Sequence, residues 1–388
     1  MLDIDALLRP FWDSIQASHG PFELFDAHTH IGANDPDGMK QSPAELMAVM
    51  EAAAARAVVF PMHEPSGYPA YNDVAVQAAL ASGGRLVSFC RLDPRDSPVA
   101  EARRCLDAGA VGIKLHPRAE RFTLHEPGVR EIVAVAHERR VPVLIHAGRG
   151  IPALGQNTVE LASEFPDARL ILAHAAISDL AWLWRVLPDH PNVFIDTAWW
   201  NPADHIALFS LVDPSHIVWA SDSPYGLPVT AAWTHARCAL EAGLGVDALR
   251  SIMGGQIARL VAGEDPLWVG PAPGPGAVDA LHPLLERVFT HLVSAIGRAF
   301  GGGDPEEPLA LARLACAVGE DGPHADTCAV VLELLDLFQE HLAPPPPGRP
   351  FPLAGRFVMA ALAVARTPSV PLPAGLHAPA PTREEADA

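Results

Sequence analysis

The sequence predicts a (β/α)8 barrel, or TIM barrel, followed by an all-helical extension. Eight short apolar runs alternate with helical patterns between residues 22 and 222. Successive run ends lie roughly 20 to 32 residues apart, which is the spacing of βα units. Eight such units in about 240 residues match the size of this barrel. The alternative is a doubly wound open sheet, which the lack of a Gly-x-Gly-x-x-Gly motif after the first run disfavours.

Each run and each helical pattern can be assigned in order along the chain. The predicted strands are 22–25, 57–60, 86–90, 112–115, 141–145, 170–173, 193–195 and 217–220. Helices are predicted at 43–55, 71–81, 98–108, 128–139, 158–165, 230–242 and 247–261. Ser42 followed by Pro43 is typical of a helix start, since serine caps the first turn and proline fits its first position.

The flanking segments divide the chain further. We expect a leader helix at 1–21, the barrel at 22–262, a Pro/Gly-rich linker at 263–277, a helical domain at 278–366 and a disordered tail at 367–388. Helical patterns in the fourth segment cover 281–296, 308–318, 325–342 and 353–366, and prolines 344–347 end one of them. This segment is predicted to be a packing or dimerisation module, with a homodimer as the expected assembly. The alternative is a lid that shapes the site.

Composition excludes several classes of protein. The formal net charge is −19, whereas a nucleic-acid-binding protein normally carries a basic face. Neither a signal peptide nor an apolar run long enough to span a membrane is visible. The five cysteines form no Cys-x-x-Cys motif and are odd in number, which indicates reduced thiols in a cytoplasmic protein.

The segment Phe25–Gly32, with the sequence FDAHTHIG, is the first chemical motif. Alternate residues of a strand point to the same side, so Asp26, His28 and His30 share one face. Two neutral imidazoles that converge suit a divalent transition metal, most often zinc. His-x-His alone is a weak signal and could equally be a pair of polar residues at a loop.

Further ionisable residues follow the later strands, where the chemistry of a barrel is located. His146 follows the fifth strand, His174 the sixth and Asp222 the eighth. Each alone could be an ordinary loop residue or a helix cap. Together with the His-x-His pair they form a joint pattern at one end of the barrel, which predicts a metal site.

The segments FDAHTHIG, VGIKLHP, VPVLIHAG, LILAHAA and WASDSPYG, in this order, resemble the amidohydrolase superfamily, and specifically its amidohydrolase-related (amidohydrolase 2) family. The resemblance implies a TIM barrel whose metal ligands are His28, His30, His146 and Asp222. It also implies that His174 assists catalysis or binds a second metal. Two departures are Gly254-Gly255-Gln256, where the family often has an asparagine, and Ala175-Ala176, where it commonly has a glycine.

Lys114 leaves an alternative open. It is one of only two lysines among 27 basic residues, the other being Lys40, so its position favours amine chemistry that arginine cannot supply. In binuclear members of the superfamily a lysine after the fourth strand is carboxylated and bridges two metals. The rival is a protonated Lys114 paired with Asp222 or with a substrate carboxylate. We expect one zinc ion, with the carboxylated form as the alternative.

The resulting hypothesis is a metal-dependent hydrolase that uses an activated water to cleave a small amide, ester or lactone. Asp222 is predicted to transfer the proton, and His174 and Lys114 to stabilise the oxyanion. Candidate substrate-binding residues are Arg91, His116, Arg118, Trp199, Trp200 and Tyr225. A non-oxidative decarboxylase of the same family and a non-catalytic scaffold are the alternatives.

Overall fold

A computed structural model describes residues 2–148, 150–344, 352–373 and 375. Eight parallel strands form one sheet in sequential order, and each is hydrogen-bonded to the next. The strands are β1 Leu24–Ile31, β2 Ala55–Pro61, β3 Leu86–Arg91, β4 Gly112–Leu115, β5 Pro142–Ile145, β6 Arg169–Leu172, β7 Val193–Asp196 and β8 Ile217–Val218. Helices lie between the strands, so the predicted (β/α)8 barrel is confirmed.

The predicted helices are found in order with small shifts at their ends, and the structure adds three that were not predicted, at Pro117–Glu120, Leu180–Leu183 and Pro202–Leu211. Those of the barrel region are α1 Ile4–His19, α2 Pro43–Ala52, α3 Pro69–Ala81, α4 Pro98–Asp107, α5 Pro117–Glu120, α6 Pro127–Arg139, α7 Leu154–Glu164, α8 Leu180–Leu183, α9 Pro202–Leu211, α10 Pro228–Glu241, α11 Val246–Arg250 and α12 Gln256–Val261. The C-terminal helices are α13 Pro283–Phe300, α14 Glu306–Ala315, α15 Ala325–Glu340 and α16 Gly355–Arg366. None of these described helices combines the length and apolar character needed to cross a membrane.

The first strand is longer than predicted and contains both histidines of the motif. It pairs with β2 on one side. On the other side the segment after β8 continues the pairing, since Ala27 N donates to Trp219 O (3.0 Å) and Asp222 N donates to His28 O (3.0 Å). This pairing joins the eighth strand to the first, brings Asp222 beside the two histidines and completes the circuit of hydrogen bonds.

Aromatic and aliphatic side chains fill the interior of the barrel. Phe60, Phe89 and Phe194 are fully buried there with aliphatic neighbours. Gly112 is required beside them, because a Cβ atom at this position would lie 2.5 Å from the ring of Phe89. The predicted helix 247–261 is divided by a π-helical turn at Ser251–Gly255, where Gly254 packs closely against the Glu23 carbonyl.

The segment after the barrel is held against it. Val269 N donates to Ser215 Oγ (3.0 Å) and Ala272 N donates to Asp213 Oδ1 (2.7 Å), so the Pro/Gly-rich stretch follows the barrel surface. The start of the tail differs from the prediction of disorder, since Thr367 is fully buried and Val370 nearly so. Residues 374 and 376–388 of the tail, and prolines 345–347, lie outside the described residues.

Candidate metal centre and substrate cavity

Three donor atoms converge at the carboxyl end of the barrel. His28 Nε2 lies 3.1 Å from His30 Nε2 and 3.2 Å from Asp222 Oδ1, and His30 Nε2 lies 3.1 Å from the same oxygen. Ligands bound at 2.0–2.1 Å around a tetrahedral cation are about 3.3 Å apart, so the three atoms have suitable spacing for one. Among the described residues, His28, His30 and Asp222 are the histidine, cysteine, aspartate or glutamate side chains whose ligand atoms lie close enough together to hold a metal ion.

The carboxylate of Asp196 determines which ring nitrogen of His28 carries the proton. His28 Nδ1 donates to Asp196 Oδ2 at 2.7 Å, whereas Asp196 Oδ1 accepts from His174 N (2.8 Å) and Ala198 N (3.0 Å). The carboxylate cannot donate to the ring, so the proton of the neutral imidazole lies on Nδ1 and the lone pair on Nε2 faces His30 and Asp222. A carboxylate behind a histidine in this way is the usual support of a metal ligand. The residues therefore fit a divalent cation.

Burial sets the charges of these groups. It lowers the pKa of His28 and of His30 well below the ordinary value, which keeps both imidazoles neutral, the form that binds metals. Burial also raises the pKa of Asp222 to about 6, although the nearby His174 opposes the shift. The site thus combines two neutral donors with one carboxylate.

Backbone strain is concentrated at the same place. His174, Ala175 and Ala176 have φ values of 61°, 54° and 46°, and Asp222 has φ of 63°. Non-glycine residues avoid this left-handed region at a cost of about 1 to 2 kcal/mol each, and such strain is typical of functional sites. Ala175 and Ala176 are thus held in a conformation that glycine would adopt without strain.

His146 does not join the three converging donors. Its Nδ1 lies 2.9 Å from His174 Nε2, and its Nε2 is buried beside Gly148 with no hydrogen-bond partner among the residues that the structure describes. His174 Nδ1 donates to Ala198 O (2.8 Å), so the neutral His174 accepts through Nε2 and His146 donates to it. His146 consequently presents a lone pair on Nε2, and its role as a ligand stays a prediction.

Lys114 points into the barrel, as the strand alternation predicts. The side chain is fully buried, with Nζ 3.4 Å from His28 Nε2 and 4.8 Å from the centre of the Phe60 ring. Burial and the neighbouring Arg91 guanidinium lower the pKa of Lys114 to about 7. The amine of Lys114 therefore lies next to the three converging metal-donor atoms and faces His28 Nε2.

A cavity of about 380 Å³ opens beside this centre. Its volume is in the range of small-molecule sites. Asp222, His146 and His174 line it together with the predicted substrate-binding residues Arg118, Trp199, Trp200 and Tyr225. The C-terminal helical segment supplies much of the opposite wall, through Phe300, Leu353, Arg356 and Met359. This segment was expected to serve packing or dimerisation; the structure shows that it also shapes the cavity.

Two predicted substrate-binding residues have other contacts. Arg91 is buried and its Nη2 donates to Glu120 Oε1 at 2.7 Å, beside a separate cavity near β2 and β3. His116 accepts from Ala119 N through Nδ1 (3.1 Å) and stacks on His146, with ring centres 3.8 Å apart. Neither lines the cavity beside Asp222. Arg91 is held away from the cavity by its contact with Glu120 of α5. The sequence did not reveal this contact, because the two residues are distant in the chain.

Several residues of the site were not predicted. Asp196 directly follows the seventh predicted strand (193–195) and supports the ring of His28. Its place at a strand end was the signal available in the sequence. His205 and His235 lie within helices and carry no motif. Arg356 and Phe300 belong to the segment outside the barrel pattern, and no local signal marks them.

The comparisons with known proteins agree with this architecture. The amidohydrolase family profile matches residues 11–262, and the chain therefore belongs to that family. A similar solved structure is 5-carboxyvanillate decarboxylase from Sphingomonas paucimobilis, with 16% identity and a TM-score of 0.50 over 62% of this chain and 99% of that one. A TIM-barrel protein from Bordetella bronchiseptica, itself uncharacterised, has 14% identity and a TM-score of 0.50 over 62% and 99% of the two chains.

The 2,6-dihydroxybenzoate decarboxylase from Rhizobium has 17% identity and a TM-score of 0.47, over 62% of this chain and 98% of that one. No curated protein matches the sequence. At these identities the two structures with a TM-score of 0.50 show a shared fold and nothing more. The family match ends at residue 262, so the helical wall of the cavity lies outside it.

Proposed function

We propose that this protein is a metal-dependent hydrolase that cleaves a small amide, ester or lactone. The observation that carries the proposal is the convergence of His28 Nε2, His30 Nε2 and Asp222 Oδ1 within 3.1–3.2 Å at the cavity. These residues would hold one divalent cation, for which zinc is the best match to two imidazoles and a carboxylate. A cation of this kind lowers the pKa of water from 15.7 to about 7 and so supplies a nucleophile at neutral pH.

The chain's own residues have separate tasks in this proposal. Asp196 keeps the His28 lone pair on Nε2 through the hydrogen bond to Nδ1. The Asp222 carboxylate, whose side chain is 20% exposed towards the cavity, accepts the proton of the attacking water and delivers it to the leaving group. The amine of Lys114 stabilises negative charge on the attacked carbonyl oxygen. The oxyanion role predicted for His174 does not fit its hydrogen bonds, because its one N–H is donated to Ala198 O, and its task is to accept from His146 Nδ1 and so orient that ring. Arg118 and Arg356 bind an anionic group of the substrate.

A second candidate is non-oxidative decarboxylation. It is favoured by the combination of two guanidinium groups with the rings of Trp199, Trp200 and Phe300 around one cavity, which would suit an aromatic carboxylate. The similar fold of 5-carboxyvanillate decarboxylase is compatible with this candidate. Both reactions would use the same metal centre, so the product is what distinguishes them.

The test is a product assay on the metal-loaded protein. A panel of aryl esters, lactones and N-acyl amides is followed by acid release, and a panel of aromatic carboxylates by carbon dioxide release. We expect acid release, with a loss of at least about 100-fold in Asp222→Asn, which removes the carboxylate that transfers the proton. Activity should also fall in His174→Ala, because that variant removes the acceptor that orients His146. The exposed His125→Ala serves as the control and should retain full activity.

Carbon dioxide release without acid release would replace hydrolysis by decarboxylation. Acid release that is unchanged in Asp222→Asn would contradict the proposed proton transfer. Neither product from either panel, despite bound metal, would favour the non-catalytic scaffold.

A further inference from the structure

A second histidine pair lines the same cavity away from the converging metal donors. His205 on α9 and His235 on α10 are each only 2% exposed, and their ring centres are 4.2 Å apart. The metal-centre hypothesis gives them no role. They lie on the helices that follow β7 and β8, so their position depends on the barrel itself.

The backbone after β7 fixes the tautomers of three histidines. Three successive carbonyls accept from three different rings: Thr197 O from His205 Nε2 (2.9 Å), Ala198 O from His174 Nδ1 (2.8 Å) and Trp199 O from His235 Nε2 (3.3 Å). A carbonyl oxygen can only accept, so each of these nitrogens carries the ring proton. In His205 and His235 the lone pair is therefore on Nδ1.

Those two lone pairs have no hydrogen bond within the described part of the chain. His235 Nδ1 is buried and unpartnered. Burial lowers the pKa of His205 to about 4 and that of His235 well below its ordinary value, so both rings are neutral acceptors at neutral pH. A buried acceptor without a partner is unfavourable, and a hydrogen bond from a ligand or an ordered water relieves that cost.

The hydroxyl and indole donors around the pair are already used within the protein. Thr234 Oγ1 donates to Thr230 O (2.7 Å), Thr230 Oγ1 donates to Asp5 Oδ1 (2.7 Å) and Trp199 Nε1 donates to Asp204 Oδ2 (2.6 Å). These three groups therefore have no hydrogen left to donate to a ligand. The histidine pair offers a ligand only hydrogen-bond acceptors, the Nδ1 lone pairs. The same cavity is also lined by the apolar side chains of Ala231, Met359 and Ala363.

We propose that His205 and His235 form a subsite that accepts a hydrogen bond from a neutral hydroxyl or amide N–H donor on the non-reacting part of the substrate. A neutral donor fits better than an ammonium group, because a buried cation would need a carboxylate partner. The substrate class is then an acyl or carboxylate compound with an apolar body that carries such a donor. Assigning the donor to the substrate rests on the proposed function, whereas the binding preference of the subsite does not.

Phenol and toluene are matched probes of this preference. They have similar size, but only phenol donates a hydrogen bond, and a purely apolar cavity would favour toluene. Binding to the full-length wild-type protein is measured by calorimetry, and the site is located by soaking phenol into crystals. We expect phenol to bind at least about 10-fold more tightly than toluene, with its oxygen within hydrogen-bond distance of Nδ1 of His205 or His235.

Two variants separate hydrogen bonding from folding. In the double variant His205→Leu/His235→Leu the preference for phenol should fall to about that of an apolar cavity. His235→Gln, whose amide can donate to Trp199 O and still accept from a ligand, should retain most of the preference. Equal affinities in the wild-type protein, a preference that survives in the folded double variant, or phenol bound elsewhere would overturn the subsite. The assay needs neither metal nor turnover, so its failure is distinct from failure of the proposed function.

Discussion

At the scale of single residues, the organisation of the centre depends on hydrogen bonds between residues that are far apart in the chain. Asp196 accepts a hydrogen bond from His28, which lies 168 residues away in the sequence. It also accepts from His174 N and so holds the backbone after β6 in place. The sequence pattern predicted that His28, His30 and Asp222 meet, because strand periodicity and barrel topology fix where strand ends lie. It did not predict the ring orientation of His146, since orientation depends on partners such as His174 and Gly148.

Asp196→Asn is expected to weaken divalent metal binding about 10- to 100-fold. The substituted amide nitrogen would face His28 Nδ1 as a donor, so the ring would move its proton to Nε2 and lose the lone pair directed at the centre. The measurement is a competition titration with a chromophoric chelator. The exposed Asp167→Asn is the control, and an Asp196→Asn affinity within twofold of wild type would contradict the assigned role.

At the scale of elements, the leader helix is part of the barrel's support. Phe11 of α1 stacks on Trp233 of α10, with ring centres 4.4 Å apart and an interplanar angle of 16°. Asp5 of α1 accepts hydrogen bonds from Val229 N (3.0 Å) and Thr230 N (2.8 Å) at the start of α10. The sequence predicted a leader helix at 1–21. Its docking on α10 could not be predicted, because both partners are amphipathic and many pairings satisfy the pattern.

Phe11→Ala should lower the free energy of unfolding by about 3–5 kcal/mol, because it leaves a cavity against a fully buried tryptophan. Urea unfolding followed by circular dichroism measures the change. Leu314→Ala, at a position that is 70% exposed, is the matched control and should change stability by less than about 0.5 kcal/mol. A loss below about 1 kcal/mol in Phe11→Ala would mean that the leader helix contributes little to the folded barrel.

At the scale of the whole molecule, the substrate cavity is a joint product of the barrel and the C-terminal helices. Trp200 of the barrel and Phe300 of α13 have ring centres 5.8 Å apart, and Arg356 Nη2 of the helical segment donates to Tyr225 O. The sequence predicted these helices, because their apolar period is clear, but not their place over the barrel mouth. That placement depends on packing between distant surfaces, which a local pattern does not encode.

Arg237 links α10 of the barrel region to the segment after α16. This buried guanidinium donates to Thr367 Oγ1 (2.9 Å), Thr367 O (2.8 Å), Pro371 O (2.7 Å) and Val370 O (3.1 Å). Arg237→Met should lower the free energy of unfolding by about 2–3 kcal/mol, since it leaves buried carbonyls without a donor. Thermal and urea unfolding test this.

The comparison for Arg237 is Arg250→Met, which removes an exposed ion pair with Asp247 and should cost less than about 1 kcal/mol. Equal effects of the two substitutions would contradict the view that Arg237 anchors the segment after α16.

Metal content of the purified protein is the most direct test of the centre. Mass spectrometric metal analysis after loading with zinc and removal of excess ion should give about one ion per chain for the wild type and none for the folded double variant His28→Ala/His30→Ala. The exposed His125→Ala should retain the wild-type content. A wild-type protein that retains no ion, or a double variant that retains a full equivalent, would contradict a metal centre built on His28, His30 and Asp222.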